Sequence, residues 1–219
     1  MNQEEVWDEI GRPWKDFRVK VSPTVEKFLS DKSGKILDVG CGSGRNFLKM
    51  DGVFWYGIDF SGEMLKYAEE TAKAKGVRVC LTKALVDSLP YEDDFFDAVL
   101  FYAVLHCVDS VGARKKALEE IYRVLKVRGE ALISVWGSKS PRLRGKGKEC
   151  FVPWTVRDEG EKIKRKIENP SLNFCHPEKI KRYTYVYDLE ELLELCESVG
   201  FEVLECWEER NVNLIVRKG

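Results

Sequence analysis

Two short stretches of the chain have the residue types and spacing to hold a nucleoside. Residues 36–44 read ILDVGCGSG, an apolar run that ends in Gly40, Gly42 and Gly44. Glycine lets the backbone turn sharply and come close to a ligand. A dinucleotide-binding turn needs its third glycine three residues after the second; Arg45 holds that slot, and the third glycine comes one residue early. The spacing therefore argues against a pyrophosphate. Fifteen residues after Gly44 the run WYGID ends in Asp59, and a carboxylate at the tip of a second strand accepts both hydroxyls of a ribose. A tight turn accounts for the first stretch alone and a helix cap for the second alone. The two in this order point to a nucleoside.

The elements that must position these residues alternate. Short apolar runs predict strands at 35–39, 53–58, 77–82, 96–102 and 131–135. Helical periodicity places helices at 63–75 and 113–126, and one is expected from Arg45 onward. Two short helices, near 4–10 and 24–29, form an N-terminal arm. Strand–helix alternation implies a parallel sheet with right-handed crossovers. The pattern breaks at Gly137 and resumes with a helix at 189–199 and strands at 201–207 and 212–216. The expected fold is α/β, a doubly wound and mostly parallel seven-stranded sheet with a basic insertion after strand five. The expected single domain has an arm (1–34), a cofactor-binding core (35–136), a basic recognition insertion (137–182) and a C-terminal helix with two strands (183–219).

These phrases together resemble class I S-adenosylmethionine-dependent methyltransferases, over roughly residues 34–136. GIDFSGEMLKYAEE is similar to that family's second strand, turn and helix; LPYEDDFFDAVLF and YRVLKVRGEALISVW are similar to its later motifs. The resemblance implies that the cofactor is S-adenosylmethionine. It places Asp38 at the ligand's amino group, the Gly40, Cys41, Gly42 and Gly44 loop around its amino-acid part, and Asp59 with Phe60 at its ribose. It adds Asp87, Ser88, Leu89 and Tyr102 to the cofactor's surroundings. The family usually carries an acid where Leu85 stands, and Asp87 lies two residues later. Pro-Gly-Gly is replaced by Val127, Arg128 and Gly129, with the turn expected around Gly129.

Four features outside this core, DFRVKVSP, AVLHCV, the VPW at 152–154 and RYTYVY, resemble the subfamily that esterifies 5-carboxymethyluridine at the wobble position of tRNA. The chemistry needs no general base, because a carboxylate is already ionised at pH 7 with a pKa near ~4. It needs orientation and a cationic partner, which arginine's planar fork supplies. Arg18 and Arg182 are the candidates in the subfamily-like phrases, with Arg210 a third and His106 a residue that orients the acceptor. Trp154 and Tyr183 offer aromatic surface for an unpaired base, although alternation along RYTYVY also fits Tyr183, Tyr185 and Tyr187 on one face of a strand. The resemblance further implies two partners, the tRNA anticodon loop and a small zinc-binding activator protein forming a heterodimer.

Charge fits a polyanionic partner. Residues 137–182 hold 13 Lys or Arg against 6 Asp or Glu, while the rest holds 23 against 31. Seven cysteines without a CxxC pair give no reason to expect a metal site or disulfides. No apolar run approaches the ~20 residues of a membrane span, and the acidic start MNQEEVWDEI has no signal-peptide pattern, so a cytoplasmic protein is expected. Two other activities fit the same fold: a methyltransferase for a metabolite or quinone precursor, and a subunit that binds S-adenosylmethionine without turnover.

Overall fold

The computed structural model describes residues 2–17, 19–154 and 180–219. Its centre is a seven-stranded sheet made of β1 (Gly34–Val39), β2 (Val53–Asp59), β3 (Val79–Lys83), β4 (Phe96–Tyr102), β5 (Leu125–Trp136), β8 (Phe201–Glu208) and β9 (Asn211–Lys218). The order is β3-β2-β1-β4-β5-β9-β8. The first five strands are parallel; β9 runs antiparallel to β5, and β8 to β9. The doubly wound, mostly parallel architecture read from the alternating pattern is the one that forms.

Burial on both faces explains the apolar runs. Leu37, Val39, Val99, Phe101, Ala131 and Ile133 point to one face, which α4 (Val111–Val124) and α5 (Leu189–Val199) cover with Ala117, Leu118, Ile121, Leu192 and Cys196. Ile36, Ala98, Leu100 and Leu132, one residue out of phase, point to the other. There α2 (Pro23–Leu29) and α3 (Gly62–Lys75) supply Val25, Phe28, Leu29, Ala68 and Ala72. The ends of these helices follow their sequence: Ser61, Ser110 and Asp188 cap the N-termini of α3, α4 and α5, and Gly76 and Gly200 close α3 and α5 at positive φ.

The arm is a longer helix than its periodicity implies, α1 (Gln3–Phe17), which continues through Pro13. It buries Val6 and Ile10 against Met64. Asp8 Oδ1 also accepts from the Ser61 hydroxyl (2.6 Å) and the Glu63 amide (3.3 Å).

The structure departs from the sequence reading in three places. No helix follows Gly44: residues 42–46 form turns. The reason lies in α3, whose last residue, Lys75, donates through Nζ to the carbonyls of Gly44, Arg45 and Phe47 at 3.5, 2.6 and 3.1 Å. One ammonium thus takes up acceptors that a helix would have used. At Gly129 there is no separate turn. Helix α4 ends at Val124 and β5 starts at once, absorbing extra residues as an irregularity between the Phe96 and Ala98 pairings, with Arg128 at φ +64°. Finally, part of the stretch expected to be irregular is regular: β6 (Glu149–Pro153) pairs antiparallel with β7 (Lys181–Tyr185) as a two-stranded ribbon. Residues 155–179, the middle of the basic stretch, lie outside the described residues.

Candidate active site

The carboxyl ends of β1, β2, β4 and β5 open into one cleft of about 1520 Å³. That exceeds the ~300–1,000 Å³ of ordinary ligand pockets, so a nucleoside cofactor leaves room for a second reactant.

At one end the glycine loop forms the floor. Gly40, Gly42 and Gly44 all have positive φ (+68°, +53° and +77°). A Cβ on Gly40 would meet Val104 Cγ2 at 2.6 Å, whereas one on Gly42 would find only Trp14 Nε1, 3.7 Å away. Gly42 therefore leaves open space on the cleft side. Gly44 is not on the cleft wall; its missing side chain lets Phe47 and Ala68 pack close. The Asp59 carboxylate fastens the loop: Oδ2 accepts the Gly42 amide (2.9 Å) and Oδ1 the Ser61 amide (3.0 Å). Burial nevertheless raises its pKa to about 6, against the hydrogen bonds that lower it. Asp38 lies behind the wall and accepts from Asn46 Nδ2 at 3.2 Å. Burial lifts its pKa to about 7, with Asn46 and Arg45 opposing. Asn46 lines the cleft, and its buried Oδ1 has no hydrogen-bond partner.

These features fit S-adenosylmethionine. An ammonium on the ligand would complete the Asn46 oxygen and lower the cost of a charged Asp38. Ribose hydroxyls would occupy the remaining lone pairs of Asp59. Phe60, Leu85, Val86 and Asp87 line the same end.

At the other end stand His106, Arg182, Trp136 and Arg210. A one-turn 3-10 helix, Leu105–Cys107, carries His106 just after β4. Its Nδ1 accepts the Trp136 amide at 3.4 Å, and burial, then Arg182, push its pKa down to about 3. Arg182 is on β7 and only 4% exposed. Its guanidinium carbon lies 5.8, 5.6, 5.4 and 5.2 Å from the ring centroids of Trp7, Trp14, Trp136 and Trp154, an aromatic surround that stabilises a desolvated cation. The cleft wall holds six basic residues (Lys20, Arg45, Arg142, Lys146, Arg182, Arg210) against four acids (Asp59, Asp87, Asp109, Glu209).

The structure thus brings ten of the expected site residues to one cleft: Gly40, Cys41, Gly42, Asp59, Phe60, Asp87, Tyr102, His106, Arg182 and Arg210. Tyr102 donates its hydroxyl to Ser22 Oγ (2.9 Å), joining the sheet to the arm. Several expected residues lie elsewhere. Ser88 is exposed off the cleft wall, and Leu89 is buried in the core with its amide on Glu120 (2.7 Å). Trp154 and Tyr183 do not offer open faces to a base. They are 8% and 5% exposed; Trp154 packs on Trp14, and the Tyr183 hydroxyl accepts from Arg114 (3.1 Å). The exposed aromatic of the ribbon is Phe151, at 56%. Arg18 lies outside the described residues. The sequence reading missed Asn46, Trp136, Asn211, Asn213 and the arm's Trp7 and Trp14, all on the cleft wall. Asn46, two residues past the last glycine of the loop, was the one with a positional signal.

A methyltransferase domain model matches residues 37–133 of the chain. Over 209 residues the chain is 31% identical to a protein of Encephalitozoon cuniculi described as a methyltransferase, covering 91% of this chain and 86% of that one. The chain belongs to the S-adenosylmethionine-dependent methyltransferases. A second relative is the tRNA (carboxymethyluridine(34)-5-O)-methyltransferase of Schizosaccharomyces pombe, 29% identical over 92% of this chain and 89% of that one. Two solved structures share the fold. One is an S-adenosylmethionine-dependent methyltransferase from Aquifex aeolicus (TM-score 0.65, 20% identity, all of both chains). The other is in the complex of the Haloferax volcanii Trm112 methyltransferase activator with a methyltransferase (TM-score 0.66, 16% identity, 99% and 96% covered). Among the described residues of this methyltransferase, no helix is long and apolar enough to cross a membrane.

Proposed function

We propose that this methyltransferase esterifies the carboxylate of a 5-carboxymethyluridine at the wobble position of a tRNA. The observation that carries the reading is Arg182: a guanidinium held in a tryptophan surround, in the same cleft as the nucleoside end and beside a neutral His106. A buried arginine is the group that fixes a carboxylate in one pose, and a small neutral acceptor has no use for it. The relative from Schizosaccharomyces pombe, similar along nearly its whole length, carries this activity in its name.

Bound S-adenosylmethionine supplies an electrophilic methyl group on a sulfonium. The chain's residues do the rest by placement. Asp38 and Asn46 hold the ligand's ammonium, Asp59 its ribose, and Asp87 the adenine amino group. Arg182, with Arg18 and Arg210, holds the acceptor carboxylate off the line of attack, and the His106 Nε2–H, a donor because Nδ1 is an acceptor, orients it. The tRNA backbone follows the basic wall of Arg142 and Lys146, and Phe151 stacks on a loop base. A small zinc-binding activator is the second partner; the complex from Haloferax volcanii shows a fold of this kind beside an activator.

The test is transfer of labelled methyl from S-adenosylmethionine to tRNA carrying 5-carboxymethyluridine, with and without the activator. Label in RNA that mild base releases is the expected result and identifies an ester. Base-stable label moves the acceptor to a ring or ribose atom. S-adenosylmethionine binding with no labelled RNA overturns the reading and points to a small-molecule acceptor.

A further inference from the structure

Asn211 stands at the acceptor end of the cleft, and its neighbours settle which way its amide faces. Ser134 and Trp136 on β5 pair in register with Asn213 and Asn211 on β9, so all four side chains share one face of the sheet. Trp136, Asn211 and Asn213 line the cleft, and Ser134 is fully buried beneath them. Three hydrogen bonds close a ring. Asn213 Nδ2 donates to the main-chain oxygen of Asn211 (3.1 Å), Ser134 Oγ donates to Asn213 Oδ1 (2.8 Å), and Asn211 Nδ2 donates to Ser134 Oγ (3.0 Å).

The direction of this ring follows from chemistry. A side-chain amide is ordinarily oriented only by its partners, and one partner here is a carbonyl oxygen, which accepts and never donates. Asn213 must therefore turn its NH2 to that oxygen and its own oxygen to Ser134. The Ser134 hydroxyl proton must go to Asn213 Oδ1. Ser134 then has only lone pairs left for Asn211, which must present its NH2. The Oδ1 of Asn211 is thereby locked as the end turned away from Ser134, and no donor among the described residues is bonded to it.

On the reading that the acceptor is a modified uridine, we propose that Asn211 selects the base: its locked Oδ1 accepts the ring N3–H of a uracil and turns away a cytosine, whose N3 is itself an acceptor. The placement suits this. Trp136 lies between the two functions, stacked on His106 with 4.8 Å between centroids and 5.4 Å from the Arg182 guanidinium, and it is the register partner of Asn211. The carboxylate end and the ring edge of one nucleotide would thus meet adjacent walls. Facing acceptors leave both unpaired, which corresponds to about 10- to 100-fold discrimination for a well-placed base contact.

The experiment uses two anticodon stem-loop RNAs, identical except for 5-carboxymethyluridine or 5-carboxymethylcytidine at the acceptor position. Methyl-transfer kcat/KM is measured with the wild type, Ser134→Ala and Asn211→Ala, with S-adenosylmethionine binding and melting temperature recorded for each. The wild type is expected to favour the uridine RNA by ~10- to 100-fold. Ser134→Ala frees the Asn211 amide to flip, so the ratio falls toward one through a gain on the cytidine RNA. Asn211→Ala loses rate on the uridine RNA alone. Equal wild-type rates on the two RNAs, or variants that lower both rates in proportion, overturn the inference and leave the ring a structural feature. No transfer to either RNA overturns the uridine reading itself and the inference with it, an outcome distinct from equal rates.

Discussion

The His106 imidazole lies nearly flat on the Trp136 indole, 4.8 Å between ring centroids and 20° between planes, while its Nδ1 accepts the Trp136 amide. This contact fixes the tautomer: with Nδ1 an acceptor, the ring proton sits on Nε2. Burial and the nearby Arg182 keep the ring from charging until pH about 3. In the proposed mechanism His106 is therefore a neutral donor across the working range. The pH profile of kcat is expected to show no inflection near 6.5. His106→Gln, whose Nε2 offers a similar donor, should retain far more activity than His106→Ala, for which the loss of one preorganised donor costs about 10²-fold or more. A bell-shaped profile that disappears in His106→Gln would instead make it an acid or base.

Asp38 and Asp59, the two carboxylates proposed to hold the cofactor, carry the opposite shift. Burial first, against their hydrogen bonds, raises Asp38 to about 7 and Asp59 to about 6. Each holds a proton in the folded chain at a pH where the unfolded chain has released it. Their contribution to stability is thus greatest below the ordinary carboxylate range and is lost as pH rises through about 6 to 7. His106, lowered from 6.5 to about 3, has the reverse sign; its contribution is lost as pH falls through 6.5 and below. Ligand binding adds a test. An ammonium at Asp38 and hydroxyls at Asp59 favour the charged forms, so affinity for S-adenosylmethionine should fall by about 30- to 100-fold from pH 7.5 to 5.5, with protons released on binding. Calorimetry in two buffers of different ionisation enthalpy measures both. A pH-independent affinity with no proton release would remove the carboxylates from the contact.

The glycine-loop end of the cleft was legible because its determinants are local. Three glycines, the strand before them and an acid ending the next strand fall within 24 residues, from Ile36 to Asp59, and positive φ leaves a direct mark on residue choice. The other end, proposed to take the acceptor, is assembled from residues distant in sequence: Trp7 from α1, His106 after β4, Trp136 from β5, Arg182 from β7 and Asn211 from β9. Arg182 was found only through a phrase resembling a subfamily, and His106 through such a phrase together with its place just after the fourth strand, at the carboxyl edge of the sheet. Nothing in the chain's periodicity marks Asn211, whose meaning depends on a cross-strand partner 77 residues away. The same limit misdirected the aromatic reading. Trp154 and Tyr183 stand among basic residues in the sequence, yet the ribbon folds them inward and leaves Phe151 outside.

Gly40 offers a test of the loop's conformation separate from ligand contact. Its φ of +68° disfavours any side chain, and an added methyl would lie 2.6 Å from Val104 Cγ2. Strain of about 1–2 kcal/mol adds to overpacking of about 1–3 kcal/mol. Gly40→Ala should therefore lower stability by roughly 2–5 kcal/mol. Combining it with Val104→Ala should recover the steric part and leave the backbone part. Chemical denaturation of the four proteins measures this; strictly additive losses would show that Val104 does not bound the loop.

Lys75 is the least obvious residue of the glycine-loop end, because it sits on α3 some 30 positions from the carbonyls it holds. Its ammonium takes the carbonyls of Gly44, Arg45 and Phe47, and burial lowers its pKa while Asp38 supports the charge. Lys75→Met keeps much of the aliphatic stem and removes the donor. Part-buried carbonyls left unmet cost about 1–3 kcal/mol each when fully desolvated, so the expected loss of stability is at the low end of that range, with water replacing part of the contact. The larger effect should be on the ligand. With the turn no longer pinned to α3, Asn46 loses its fixed position beside Asp38, and affinity for S-adenosylmethionine should drop by about tenfold, or ~1.4 kcal/mol. Lys75→Arg, which keeps a donor but not its shape, should fall between the two. Calorimetric titration of both variants checks this, and unchanged affinity in Lys75→Met would show that the turn holds its form without the lysine.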